Sequence, residues 1–153
     1  MKRLKNKAQF YLVSAMILAT IIIALISITN FSNKKENNQI ENYGKELEIE
    51  IEKVYDYDEI NNRDSIENFT REYSYYIGKD FDVFFIIADD PEIEAYTFTD
   101  DTKVDLSSQA SIVGDEIIFS DGNVSYNFEL NEGKNFYFVL SQDIGGEKYV
   151  YTN

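Results

Sequence analysis

The chain has no cysteine, no histidine and no tryptophan, and only one proline among its 153 residues. Without cysteine there is no disulfide framework, thiol nucleophile or thiolate metal site, so stability rests on packing alone. Without histidine, the side chain that most often shuttles protons or binds zinc near neutral pH is missing, which removes much enzyme chemistry. Basic residues are scarce too: 14 Lys and Arg stand against 28 Asp and Glu. Lys2, Arg3, Lys5 and Lys7 precede the one long apolar run and every acidic residue follows it, so the part beyond the run has ten positive and 28 negative charges, near -18. A surface of that sign repels phosphate backbones, which excludes nucleic acid as a main partner.

What the sequence does have is an uncharged stretch from Phe10 to Ile28, FYLVSAMILATIIIALISI. At 1.5 Å per residue it reaches about 28 Å, close to the hydrocarbon thickness of a bilayer. With Thr29, Asn30 and Phe31 added for tilt, this predicts one transmembrane helix over 10–31 with the lipid bilayer as its partner. The basic start MKRLKNK predicts a cytoplasmic N-terminus and an extracytoplasmic remainder, the topology of a single-pass signal anchor in the cell membrane. A cleaved secretory signal is the competing reading, but its apolar segment spans about 7–15 residues and ends at an A-x-A-like site. Ser27-Ile28-Thr29-Asn30 is a poor one. Ala15 and Ala19, and Thr20 and Ala24, are four apart and make candidate helix-packing positions for a homo- or hetero-oligomer, although small residues also occur where a helix faces lipid.

The organisation read from this is a cytoplasmic basic segment at 1–9, the span at 10–31, a polar membrane-proximal connector at 32–39 and an extracytoplasmic α+β domain at 40–153. That domain is helical over 40–78 and β-rich over 81–153. Ile40, Tyr43, Leu47, Ile51 and Val54 follow helical spacing, while Glu46 to Glu52 also alternates as a half-buried strand would; the longer pattern favours helix. Asp64-Ser-Ile-Glu67 has the form of a capping box, Ile66, Phe69, Tyr73 and Ile77 line one face of a second helix, and Gly78 ends it. Phe81 to Ala88 is an aromatic and β-branched run suited to a buried central strand. Further strands are predicted at 93–99, 103–106 (weak), 116–120, 124–130, 135–140 and 148–152. Asp121-Gly-Asn123, Asn131-Glu-Gly133 and Gly145-Gly146 supply hairpin turns between them. The fold class expected is thus α+β: a transmembrane helix, one or two further helices, and an antiparallel meander of about 5–7 strands.

No catalytic, metal-binding or cofactor site is assigned. Tyr75-x-x-x-Lys79 spells a reductase pair without a glycine-rich phosphate loop, and Ser32-x-x-Lys35 spells a serine–lysine motif without its companion motifs. The acidic pairs Asp56/Asp58, Asp89/Asp90, Asp100/Asp101 and Asp115/Glu116 offer oxygen ligands, but they are read as solvated turn carboxylates. Asn30, Asn68 and Asn123 stand in N-x-[ST] triplets, of which Asn68 and Asn123 are the better glycosylation candidates.

Lys7-Ala8-Gln9, immediately before the apolar run, resembles the processing site of archaeal type IV pilin-like proteins. The resemblance covers only about the first 30 residues. It implies cleavage between Ala8 and Gln9 by a prepilin peptidase, retention of the hydrophobic helix, and packing of that helix into a filament core or membrane assembly. The acidic residue frequent at the family's fifth mature position is replaced here by Val13. The function expected is a membrane-anchored, non-catalytic cell-surface protein of pilin-like type. The alternative is a solitary signal-anchored binding module for a protein or glycan.

Overall fold

The computed structural model describes the backbone of residues 2–153 and the side chains of residues 16–24, 26 and 39–153. The chain divides into two units, Met1–Asn38 and Gln39–Asn153. Helix α1 runs Lys2–Asn61 and helix α2 runs Ile66–Ile77. Eight strands follow: β1 (Asp82–Asp89), β2 (Glu92–Thr99), β3 (Thr102–Asp105), β4 (Ala110–Val113), β5 (Glu116–Ser120), β6 (Ser125–Glu129), β7 (Asn135–Ile144) and β8 (Glu147–Thr152). A short 3-10 turn at Ser107–Gln109 separates β3 from β4.

The expected membrane span is corrected. Among the described residues no helix is long and apolar enough to cross a membrane. Crossing needs roughly 20 consecutive apolar residues. The longest described apolar stretch of the first unit is 16–24, which covers about 14 Å of helix. Of the rest of the 10–31 stretch, Ile26 alone has a described side chain. The transmembrane, single-pass and signal-anchor readings fall with this finding, as does the topology built on them, with its cytoplasmic N-terminus and extracytoplasmic domain. The single meander is corrected as well, because the strands form two antiparallel sheets, one of five in the order β3-β2-β1-β7-β8 and one of three in the order β4-β5-β6.

The second unit has three layers, and the period-two alternation of its central strands explains why. In β1, Val83 and Phe85 point to one face and meet Leu47, Ile51, Ile66, Tyr73 and Ile77 of the two helices. Ile86 and Ala88 point to the other face and meet Ile117, Phe119 and Phe128 of the three-stranded sheet. In β7, Phe138 and Leu140 belong to the helix side and Val139 to the sheet side. Strands buried on both faces read as continuous apolar runs rather than alternating ones, as Val83–Ala88 does.

The helical spacing of Ile40, Leu47 and Ile51 is realised within α1, so the Glu46–Glu52 alternation is not a strand. α2 starts differently from the expected box. Ser65 takes the N-cap position with no side-chain cap, and Ser65 N–H donates instead to Asp58 Oδ2 at 2.6 Å. Glu67, the supposed partner of Asp64, turns outward to Lys103. The Asn131–Gly133 turn is not a hairpin either, because it carries the chain from β6 in one sheet to β7 in the other. Buried Asn135 holds it, with Nδ2 donating to Asn131 O at 2.9 Å and Gly133 O at 2.7 Å, and Oδ1 accepting Asn131 N–H at 2.9 Å. β2 and β3 are joined by Asp100 and Asp101, whose φ values of 47° and 65° are the left-handed pair that a two-residue hairpin requires.

Gly44 shows why a residue with poor helix propensity stands mid-helix in α1. A Cβ there would lie 2.1–2.6 Å from ring atoms of Tyr151 on β8. That ring cannot easily withdraw, since it stacks on Phe138 with centroids 6.0 Å apart and planes at 16°. Gly44→Ala is therefore expected to destabilise the protein by about 1–3 kcal/mol, despite the ~1 kcal/mol gain in helix propensity. In a double-mutant cycle with Tyr151→Ala, urea unfolding should show most of that loss removed; purely additive effects would contradict the contact.

Candidate functional site

Of the residues singled out in the sequence, Ala8, Gln9 and Ala15 lie outside the described side chains. Ala19, Thr20 and Ala24 are exposed, and Thr20 Oγ1 donates to Met16 O at 2.6 Å, the bond that lets a hydroxyl sit on an apolar helix. Met16, Ile17, Leu18, Ile21, Ile22 and Ile26 are each at least half exposed. At 100° per residue they fall on every side of the helix. Asn68 is exposed on α2, where its Oδ1 accepts from Arg71 at 2.7 Å. Asn123 is exposed in the β5–β6 turn, and its N–H donates to Asp121 Oδ1 at 3.1 Å.

The acidic pairs do not converge. Asp89 and Asp90 sit at the β1–β2 turn and Asp100 and Asp101 at the β2–β3 turn, opposite ends of β2. Among the described residues no group of three or more Asp or Glu is arranged to hold a metal ion.

Among the described residues, cavities of the second unit gather several of its charged and aromatic side chains. One, of about 470 Å³, brings Tyr75 and Lys79 together with Arg71, Phe98, Asp100 and Asp101. Lys79 Nζ lies 2.5 Å from Asp100 Oδ1 and Arg71 Nε 3.9 Å from Asp101 Oδ1, so both of its cations are paired, and Asp82 adds a third carboxylate to the lining. A second, of about 380 Å³, has a floor of Ile66, Ile87, Ile93 and Tyr96 and a rim of carboxylates. A third, of about 420 Å³, opens at the α1–α2 turn beside Tyr55, Asp58, Arg63 and Lys134. The second and third share Asp64, Ile66 and Lys134, and so form one groove.

Lys103 organises the second cavity. Its ammonium bridges Glu67 Oε2 at 2.8 Å and Glu94 Oε1 at 2.6 Å, and stands 4.3 Å above the Tyr96 ring. Burial works against its charge, but the hydrogen bonds of Glu67 and Glu94 outweigh that and hold its pKa above the ordinary lysine value. Below it, Tyr96 Oη and the fully buried Thr70 Oγ1 share a hydrogen bond of 3.1 Å, and burial pushes the Tyr96 phenol up to about 12. Sequence reasoning missed this site because Glu67, Glu94, Tyr96 and Lys103 come from three elements and share no motif. Asp58, the residue that anchors the groove's inner end, looked like one of a pair of turn acids.

Asp121, in the β5–β6 turn of the three-stranded sheet, forms an ion pair with β8 of the other sheet. Its side chain is only 5% exposed and Oδ2 lies 2.7 Å from Lys148 Nζ of β8. Oδ1 accepts the N–H groups of Asn123 and Val124. Burial opposes ionisation, but the Lys148 hydrogen bond and those two amides prevail and lower the pKa to about 2. A carboxylate depressed in this way stabilises the fold above its unfolded value near 3.9 and loses that contribution as pH falls through about 2. Asp121→Asn should therefore cost about 1–2 kcal/mol at pH 7, with the gap to wild type closing between about pH 4 and pH 2. Thermal melts across that range read it directly, and a gap that stays constant would refute the assignment. No family model, no curated protein and no solved structure matches the chain.

Proposed function

We propose that the chain is a non-catalytic assembly subunit of the type IV pilin-like kind, in which the N-terminal part of α1 packs against the same helix of other copies. The observation that carries this is the exposure of Met16, Ile17, Leu18, Ile21, Ile22 and Ile26 around the whole circumference of α1. A helix with one apolar stripe needs one neighbour, whereas a helix apolar all round needs to be enclosed. A core of like helices encloses it, and Ala19, Thr20 and Ala24 let backbones approach closely within such a core. Lys7-Ala8-Gln9 adds the processing step, with a prepilin peptidase as partner and a mature chain starting at Gln9. The absence of histidine and cysteine supports a head that makes contacts rather than catalyses.

Two measurements test this. N-terminal sequencing of the protein isolated from its own cells is expected to begin at Gln9, and an intact Met1 counts against the processing. Sedimentation velocity and electron microscopy of the purified full chain should show large assemblies that Leu18→Asp combined with Ile22→Asp abolishes, while urea unfolding of the head is unchanged. A wild-type chain that sediments as a monomer, or a double variant that assembles as well as wild type, would sink the proposal.

A further inference from the structure

The groove formed by the two adjoining cavities has a feature that solvated acidic patches lack. Asp58 is 6% exposed, and its carboxylate is fixed at the α1–α2 turn, where Oδ2 accepts Ser65 N–H at 2.6 Å and the main-chain oxygen accepts Arg63 N–H at 3.0 Å. Its other carboxylate oxygen, Oδ1, is buried with no protein partner, and so is the hydroxyl of Tyr55, one helical turn earlier on the same wall. A buried carboxylate oxygen without a donor costs free energy that a cationic donor recovers. From Asp58 the groove leads past Asp64 onto the apolar floor of Ile66, Ile87 and Ile93, with Asp89 and Glu92 on its rim.

We propose that this groove receives the cationic side chain, arginine or lysine, of a partner polypeptide. The charged head group sits against Asp58 and Tyr55, and the apolar stem and neighbouring residues lie on the isoleucine floor. The two cavities, about 420 and 380 Å³, fall within the range of specific ligand pockets. They extend beyond the charged end, which suits a peptide segment rather than a lone cation. Charge complementarity points the same way, since residues 39–153 carry 27 acidic and 8 basic side chains. Lys45, Lys53, Arg71, Lys79, Lys103 and Lys148 are ion-paired to the unit's own acids. Arg63 and Lys134 line the groove itself, over the rings of Tyr57 and Tyr55. Six of the eight basic side chains are thus engaged by the unit's own acids and the other two stand over tyrosine rings in the groove, so the charge balance favours a basic segment of a different protein as the occupant. This goes beyond the assembly reading and does not depend on it.

The test is calorimetric titration of the full chain with three blocked pentapeptides, Gly-Ile-X-Ile-Gly, where X is arginine, lysine or citrulline. Saturable binding of the arginine or lysine peptide, at least 10-fold tighter than the citrulline one, is expected. Asp58→Asn and, separately, Asp64→Asn should each weaken it at least 10-fold, while Asp143→Asn, an exposed acid outside the groove, leaves it unchanged. Circular dichroism reports whether each variant is folded, and Asp64→Asn keeps the test decisive if Asp58→Asn is not. No saturable binding by wild type, equal binding of the citrulline peptide, or equal weakening by Asp143→Asn would overturn the proposal, the last by reducing the effect to general acidity.

Discussion

Everything in the head depends on the five-stranded sheet being covered on both faces. β1 and β7 lie at its centre, paired in the register Phe85 to Phe138 and Ile86 to Tyr137, so each presents alternate residues to opposite layers. A sheet this apolar on two sides cannot stand in water on one. The helices must cover one face and the short second sheet the other, and both layers pack on β1, β7 and their neighbour β2. The close approach at Gly44 follows from this, because the helix has to descend onto β8 to close the edge of its face.

Polar connections are added where the layers meet, and they are few and specific. Tyr73 Oη donates to Tyr43 O at 2.5 Å and joins α2 to α1; Thr70 and Tyr96 join α2 to β2; Asp121 and Lys148 join the two sheets. Each lies beside an apolar cluster, where a satisfied hydrogen bond is worth more than in water and an unsatisfied one is costly. Asp58 is half satisfied and half not, and Tyr55 Oη, Ser141 Oγ and Gln142 Oε1 are likewise buried without a partner. Of these four atoms, those of Asp58 and Tyr55 belong to residues that line one groove, the placement that the proposed cationic partner would use.

Much of the local structure was legible in the sequence because one physical signal dominated each segment. The aromatic and β-branched run Phe81–Ala88 is typical of a buried central strand, and Ile66, Phe69, Tyr73 and Ile77 are spaced as one side of a helix. Where signals competed, the reading failed. Asp64 and Glu67 have the spacing of a capping box, but Lys103, 36 residues away, offers Glu67 a better partner. Asn131-Glu-Gly133 looks like a hairpin turn, yet only the buried amide of Asn135 reveals that the chain changes sheets there. β4 was missed because Ala110–Val113 is four residues long and weakly apolar, and it is a strand only because β5 lies beside it. The span over 10–31 rested on hydropathy alone, the property that also draws a helix into the core of an assembly. The groove was invisible because Asp58, Asp64 and Lys134 meet only after folding.

The charge of the head constrains how copies can come together. Each head carries a large excess of carboxylates, and its own lysines and arginines are mostly consumed in pairing with them. Two such surfaces repel one another at distances up to about a Debye length, ~8–10 Å at physiological salt. On the assembly reading, cohesion must then come from the apolar part of α1, which is uncharged from Phe10 to Ile28. On the same reading, repulsion between the acidic heads would set their spacing. The same repulsion would leave the grooves free for the basic partner proposed above, so that one surplus of charge would both limit self-contact and select what is bound from outside.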